Sequence, residues 1–301
     1  MRQEAYFCTV KELDELGKNN IPRQLISHTH LIYSSPATLA FNSPGAEGFG
    51  VKRAGLAVPD SVMLIVSPGC CGRNTSVLSS MRAYQDRFYY LLMDETDIVT
   101  GRHLKKIPKA VAEICEGLKK KPSVVMICIT CVDALLGTDM ERVCHKAEEY
   151  AGVPVRPCYM YALTREGRKP PMVHVRQSVY SLLEPKKKKG NVVNLLGYFS
   201  PLTDDCELYD LLHGAGVKTI HEISRCKDYA QYQTMSEANF NLVLHPEARF
   251  AAEDFHDRLK IPYIELRRLY QIDKIASQYR AFAAALGVEF ELSLIHISEP
   301  T

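Results

Sequence analysis

Short, largely apolar runs recur along the chain at residues 62–66, 124–129, 153–155, 192–196, 240–244 and 263–266, and the more polar stretch 217–223 reads as a further strand. Runs of this length, apolar on both faces and rich in β-branched residues, predict strands of a buried parallel sheet. Between them the hydrophobic spacing lengthens to that of a helix. Ile107, Val111, Ile114 and Leu118 form one stripe over about 104–118, which predicts an amphipathic helix. The lysines at 119–121 suit the negative end of its dipole. Further helices are predicted at about 133–149, 172–183, 204–213, 248–259 and 271–286. A short helix is expected at 10–18, and another can start within 76–87. Residues 1–50 otherwise read as an irregular arm, broken at Pro36 and at Pro44-Gly45.

Strand and helix alternate on both sides of residues 184–190, where a run of four lysines reads as a solvated linker. The pattern predicts an α/β protein with tandem Rossmann-like, doubly wound domains and mostly parallel sheets. The expected organisation is an N-terminal arm at 1–50, a first domain at 51–185, a linker at 186–190 and a second domain at 191–291.

With 301 residues, 46% of them hydrophobic, the chain has material for two cores. Lys and Arg number 37 against 35 Asp and Glu, a net charge of +2, so no field-driven case for nucleic acid arises. No apolar run nears the ~20 residues of a bilayer span, and the start lacks the long apolar segment of a signal peptide. A cytoplasmic protein without membrane partners is expected. Its ten cysteines then read as metal ligands or small buried hydrophobes rather than disulfides.

Candidate chemistry sits at two strand ends. The run 62–66 stops at Ser67-Pro68-Gly69, and Cys70 and Cys71 follow at once; the run 124–129 ends in Thr130-Cys131. Ligands of open α/β sheets collect beyond the carboxyl ends of the strands, and Gly69 and Gly72 allow close backbone approach. Thiols at both ends predict a cluster site. A four-iron cluster needs four thiolates, which two per chain supply across a two-fold interface. A pseudo-symmetric partner would serve equally. Alternatively one chain supplies Cys70, Cys71 and Cys131 to an asymmetric site, or the cysteines bind nothing. Cys8, Cys115, Cys128, Cys144, Cys158, Cys206 and Cys226 read as packed or incidental thiols. His28 and His30 read as surface imidazoles rather than a metal pair. Gly45, Gly48 and Gly50 fit no nucleotide-loop pattern.

Several strings together resemble the component 1 superfamily of nitrogenase and nitrogenase-like oxidoreductases. They are SPGCCG at 67–72, DIVTGRHLKKIPKAVAEI at 97–114, TCVDALLGTDMERV at 130–143, NLLGYFSP at 194–201 and FNLVLHPEARFAAEDFHDRLKIPYIEL at 240–266. The resemblance covers roughly 40–290 and implies three Rossmann-like domains, of which two are present here. It also implies that Cys71 and Cys131 occupy the places of interface cluster thiolates, with Cys70 an extra thiol beside them. The family's third cysteine, expected near 42–45, is absent, and Ser43 is the nearest polar residue. A smaller iron–sulfur cluster, of the 4Fe–4S type and shared between subunits, is therefore implied in place of an eight-iron one. His245 stands where nitrogenase proper anchors its molybdenum cofactor through cysteine. Dinitrogen reduction is not expected, and His245 becomes a candidate substrate-pocket residue.

Two functions follow from the resemblance. One is an oxidoreductase subunit that takes electrons from an ATP-dependent iron protein and reduces an unidentified substrate. The other is a non-catalytic scaffold or carrier for metal-cofactor assembly. Either implies a homodimer or a paired component 1 subunit. A pocket with proton donors favours the first, and a wide, basic, cluster-sized cavity the second. A two-domain solute-binding protein is a more distant alternative. The final ten residues, LSLIHISEPT, resemble the in-frame translation of a sequencing adapter and are excluded from fold reasoning. The natural protein is accordingly expected to continue past about Glu291.

Overall fold

The structure is a computed structural model and describes residues 9–17, 19–20, 22, 50–69, 79, 81–129, 136–159 and 169–290. The first sheet contains β1 (Val62–Ser67), β2 (Phe88–Leu92), β3 (Val125–Ile129) and β4 (Val155–Tyr159) in the order β2-β1-β3-β4. All three pairings are parallel. β1 and β3 are buried at every position, which is why their sequences are unbroken apolar runs. β2 was not expected. It is an edge strand with alternating burial; within 76–87 Ser79 is helical and Arg82–Tyr84 form a 3-10 turn, while 76–78 and 80 lie outside the described residues. The Arg87 guanidinium fixes the start of β2 by donating to the carbonyls of Ser61, Leu56 and Val58 and to Ser61 Oγ.

The helices of this half are α1 (Val10–Leu16), α2 (Val51–Gly55), α3 (Glu95–Thr100), α4 (His103–Gly117), α5 (Met140–Ala151) and α6 (Pro171–Tyr180). α1 opens on a Thr9–Glu12 capping box and α3 on an Asp94–Asp97 one. α3 is too short for periodicity to reveal it, and its cap is the sequence signal. Within the expected helix 133–149, Leu136 is helical, Gly137 breaks the run with a positive φ of 69°, and α5 opens at Met140, where the Asp139 carboxylate accepts from Arg142 N at 3.0 Å; residues 133–135 lie outside the described residues.

The second sheet repeats the topology. It contains β5 (Val192–Leu196), β6 (Thr219–His221), β7 (Phe240–Val243) and β8 (Tyr263–Glu265), parallel throughout, in the order β6-β5-β7-β8. Its helices are α7 (Glu207–Gly214), α8 (Tyr229–Gln233), α9 (Arg249–Leu259) and α10 (Ile272–Leu286). β6 is shorter than the expected 217–223. Beyond it, buried Glu222 accepts from Leu202 N, Tyr209 Oη and Arg225 Nε, and the chain turns at Ile223–Arg225.

Leu64, Val66, Ile127 and Ile129 pack on one face of the first sheet with Ile107 and Val111 of α4 and Val143 of α5. The other face carries Met63, Ile65, Met126 and Cys128 beneath α2 and α6. That cluster continues without a break into Leu196, Val243 and Phe255 of the second half. Helix α6 packs against α2, β4 and α9 and is common to both halves. The lysine run is partly docked: Lys188 Nζ donates to Ser236 O at 2.6 Å, and the Lys189 ammonium pairs with Glu237.

Candidate functional site

In a sheet ordered β2-β1-β3-β4 the chain leaves β1 to one side and β3 to the other, and the crevice between their carboxyl ends is the ligand position. Val66 and Ile129 are register partners at that crevice. Cys70 and Cys71 follow shortly after β1, and Cys131 comes two residues after Ile129. All three lie outside the described residues, as do Cys8, Ser43, His28, His30 and 292–301. Among the described residues, no group of three or more His, Cys, Asp or Glu could hold a metal.

Two features lie at or beyond the carboxyl ends of β1 and β2. Ser67, the last residue of β1, is fully buried, and its Oγ has no hydrogen-bond partner. A buried, unsatisfied hydroxyl at a strand end is what a bound polar group would satisfy. Together with thiol donors in the sequence just beyond, it fits an iron–sulfur cluster. At the end of β2, buried Asp97 receives Lys106 Nζ at 2.7 Å and Arg102 Nε at 3.2 Å, and its carbonyl meets His103 Nδ1 at 2.9 Å. The Lys106 hydrogen bond holds the Asp97 carboxyl below the usual carboxylate range. The DIVTGRHLKK string is thus a clamp on the turn between α3 and α4.

The corresponding crevice of the second sheet lies between β5 and β7. Gly197 follows β5 with φ +137°, and a β-carbon there would sit 2.7 Å from His245 N. His245 caps the turn Pro246–Ala248, its Nδ1 accepting from Glu247 N at 3.3 Å. Arg176, reaching over from α6, donates to Gly197 O through Nε at 3.0 Å and Nη2 at 2.6 Å. Its Nη1 donates to Met172 O at 2.9 Å and Glu247 Oε2 at 2.7 Å. Phe199 lies 4.9 Å from the guanidinium carbon, and the Tyr198 ring meets His245 edge-on at 5.7 Å.

A guanidinium 2% exposed must be paired to be tolerated, and Arg176 uses its donors to lock the turn that carries His245. The sequence pattern points to His245 but not to Arg176 or Glu247. The available signal was a lone cation in the apolar stretch Met172–Tyr180.

Between the two halves lies a cavity of about 420 Å³ whose lining includes Arg53, Tyr84, Arg87, Ser224 and Lys227. Arg53 Nε donates to Tyr84 Oη at 3.1 Å. Ser224 Oγ is buried without a partner. The acid of the lining, Asp60, is engaged by Lys120 at 2.8 Å. The groove is therefore basic, and domain boundaries are preferred ligand positions.

Two tandem parallel sheets with strand-end crevices define a Rossmann-like α/β protein of the doubly wound kind. A family model described as "Nitrogenase component 1 type Oxidoreductase" matches residues 47–300, and the chain belongs to that family. It is 27% identical over 239 residues to a nitrogenase iron-molybdenum cofactor biosynthesis protein NifE from Nostoc sp., covering 76% of this chain and 49% of the relative. The NifE of Klebsiella pneumoniae is 26% identical over 266 residues, covering 81% and 58%. A solved structure described as "Nitrogenase Cp1 at pH 6.5" shares the fold with a TM-score of 0.59 at 18% identity, covering 82% of this chain and 58% of its own. The chain spans about half the length of the curated relatives it matches. Among the described residues no helix is long and apolar enough to cross a membrane.

Proposed function

We propose that this chain is a component 1-type subunit that works as a scaffold or carrier in metal-cofactor assembly and holds an iron–sulfur cluster shared with a partner subunit. The observation that carries the reading is the basic groove between the two halves, with Arg53, Arg87 and Lys227 in its lining and Asp60 neutralised. Metal–sulfur cargo bearing thiolate or sulfide charge is anionic and suits such a lining. The names of the NifE relatives support the same reading.

In this proposal Cys71 and Cys131 are the cluster thiolates, Cys70 stands beside them as a third donor, and Ser67 Oγ donates toward the cluster sulfur. The cluster, when bound, supplies one-electron chemistry. Two thiolates per chain require a homodimer or a paired component 1 subunit for a four-iron cluster. Domains at 51–185 and 191–291, joined by 186–190, place the groove at their boundary. The setting is cytoplasmic, with no nucleic-acid or membrane partner.

A second reading has a specific observation in its favour. His245, locked by Arg176 and Glu247 at a strand end, is a proton-bearing group in a ligand crevice. It suits a reductase subunit fed by an ATP-dependent iron protein, with a substrate other than dinitrogen. The two readings separate under argon, using the complete protein with its partner, an iron protein, ATP and reductant. A scaffold releases metal–sulfur cofactor to an apo acceptor without continuous electron consumption. Sustained ATP-dependent electron consumption without cofactor release would overturn the scaffold reading in favour of the reductase.

A further inference from the structure

Two thiols and two thioethers are gathered in the middle of the first sheet. Cys128 on β3 is the register partner of Cys158 on β4, and Met126 on β3 is the partner of Met63 on β1. All four belong to the core beneath α2 and α6, and none is more than 1% exposed. Three of them, Cys158, Met63 and Met126, approach Gly55 of α2. A β-carbon at Gly55 would lie 3.2 Å from Cys158 Sγ, 2.7 Å from the Met63 methyl and 3.6 Å from the Met126 methyl. Cys158 Sγ donates to Val51 O at 3.4 Å. The two thiols perturb one another: the neighbouring Cys158 eases Cys128 downward, while burial holds Cys158 well up as a thiol. The Lys52 ammonium favours the thiolate of both.

We propose that Cys128 and Cys158 form a binding site for a soft, thiophilic monovalent cation of the Cu(I) class, with the Met63 and Met126 thioethers as flanking donors. Thiolate and thioether sulfur select Cu(I) over harder ions. Cys128 and Cys158 are register partners on adjacent strands about 4.8 Å apart and share one face of the sheet, which puts both thiols within reach of a single ion. On binding, the two thiols release two protons and the cation enters. The bis-thiolate complex carries one negative charge, and the Lys52 ammonium opposes it. β4 is an edge strand of its sheet, so local opening at that edge admits the ion. A core that needed only apolar volume would be served by valine and leucine. Sulfur at both register pairs, under a glycine that leaves room for it, is more than packing requires.

The test uses the full chain with Cys70, Cys71 and Cys131 changed to serine, so that those thiols do not compete. Titration under argon with Cu(I) against a chromophoric chelator is expected to show one tightly held equivalent, a sulfur-to-copper charge-transfer band and a raised thermal midpoint. Adding Cys128→Ala and Cys158→Ala should abolish all three. Met126→Leu, close in volume, should keep the fold and weaken retention roughly 10-fold, as expected when a supporting group of a metal site is lost. Unchanged stoichiometry and midpoint in the double-alanine chain would overturn the site. A Cys128–Cys158 disulfide that persists in the presence of Cu(I) would overturn it as well. X-ray absorption at the copper edge of the parent chain decides independently of variant folding, because a shell of nitrogen and oxygen donors is incompatible with the proposal.

Discussion

Gly197 and His245 touch so closely that a methyl group on Gly197 would lie 2.7 Å from the His245 nitrogen. This contact joins the carboxyl ends of β5 and β7, and Arg176 reinforces it by capping Gly197 O with two N–H groups. It explains why the NLLGYFSP string has glycine at that step: the backbone is at φ +137° and there is no room for Cβ.

Gly197→Ala is accordingly expected to destabilise the protein by about 3 kcal/mol, combining backbone strain with overpacking. Gly214→Ala is the control, since a β-carbon there meets nothing within 4 Å; it should be neutral or stabilising by up to ~1 kcal/mol. Denaturant unfolding of the two variants checks the contrast. Equal effects would mean that the Gly197–His245 contact is not as tight as drawn.

Arg176→Leu leaves Glu247 without its cation and Gly197 O without its donors. A cost of about 3–5 kcal/mol is expected, as for removal of one partner of a buried ion pair. Arg176→Leu with Glu247→Leu should cost less than the sum of the single changes, because the pair is coupled. A double-mutant cycle by chemical denaturation measures that interaction. Strict additivity would show that the two side chains act independently.

Asp97 makes a pH-dependent contribution of definite sign. Its carboxyl is held below 3.8 chiefly by the Lys106 hydrogen bond, so its folded-state pKa is depressed. The stability it provides is fully present above about pH 3.8 and is lost as pH falls through the lower, folded value. The stability gap between wild type and Asp97→Asn should therefore be constant from neutral pH down to about pH 5 and close in more acidic solution. A gap that widens on acidification would contradict the clamp.

The cluster proposal predicts that anaerobically purified protein with its partner carries oxygen-labile iron and sulfide, and that Cys131→Ala abolishes both. Brown colour and iron content unchanged in Cys131→Ala would remove Cys131 from the ligand set. Because metal binding is linked to any assembly that creates the site, iron removal should also weaken subunit association in analytical ultracentrifugation. A monomer that keeps its cluster would place every ligand on one chain and turn attention to Cys70.

Much of the architecture is legible in the residues because each buried strand must be apolar on both faces. Val62–Ser67, Val125–Ile129, Val192–Leu196 and Phe240–Val243 announce themselves for that reason, and Ile107 and Val111 mark the buried side of α4. β2 escapes the same logic because Tyr90 and Leu92 are solvent-exposed at the sheet edge. The helical spacing over 133–149 does not reveal the break at Gly137 and the fresh start at the Asp139 cap. The sequence names Cys70, Cys71 and Cys131 just past two strand ends and His245 past a third as candidates; the three cysteines lie outside the described residues.

What periodicity cannot carry is the identity of a distant partner. Arg176 reads locally as one polar residue in an apolar helix; only the packing of α6 between the halves brings it to Gly197 and Glu247. Cys128 and Cys158 read as two ordinary core thiols; only the parallel register of β3 and β4 makes them neighbours. The sequence by itself determined most of the buried strands and the longer helices, because burial imposes apolar spacing within a segment. The tertiary structure alone decided which side chains meet, because strand order and register arise from contacts between segments far apart in the chain.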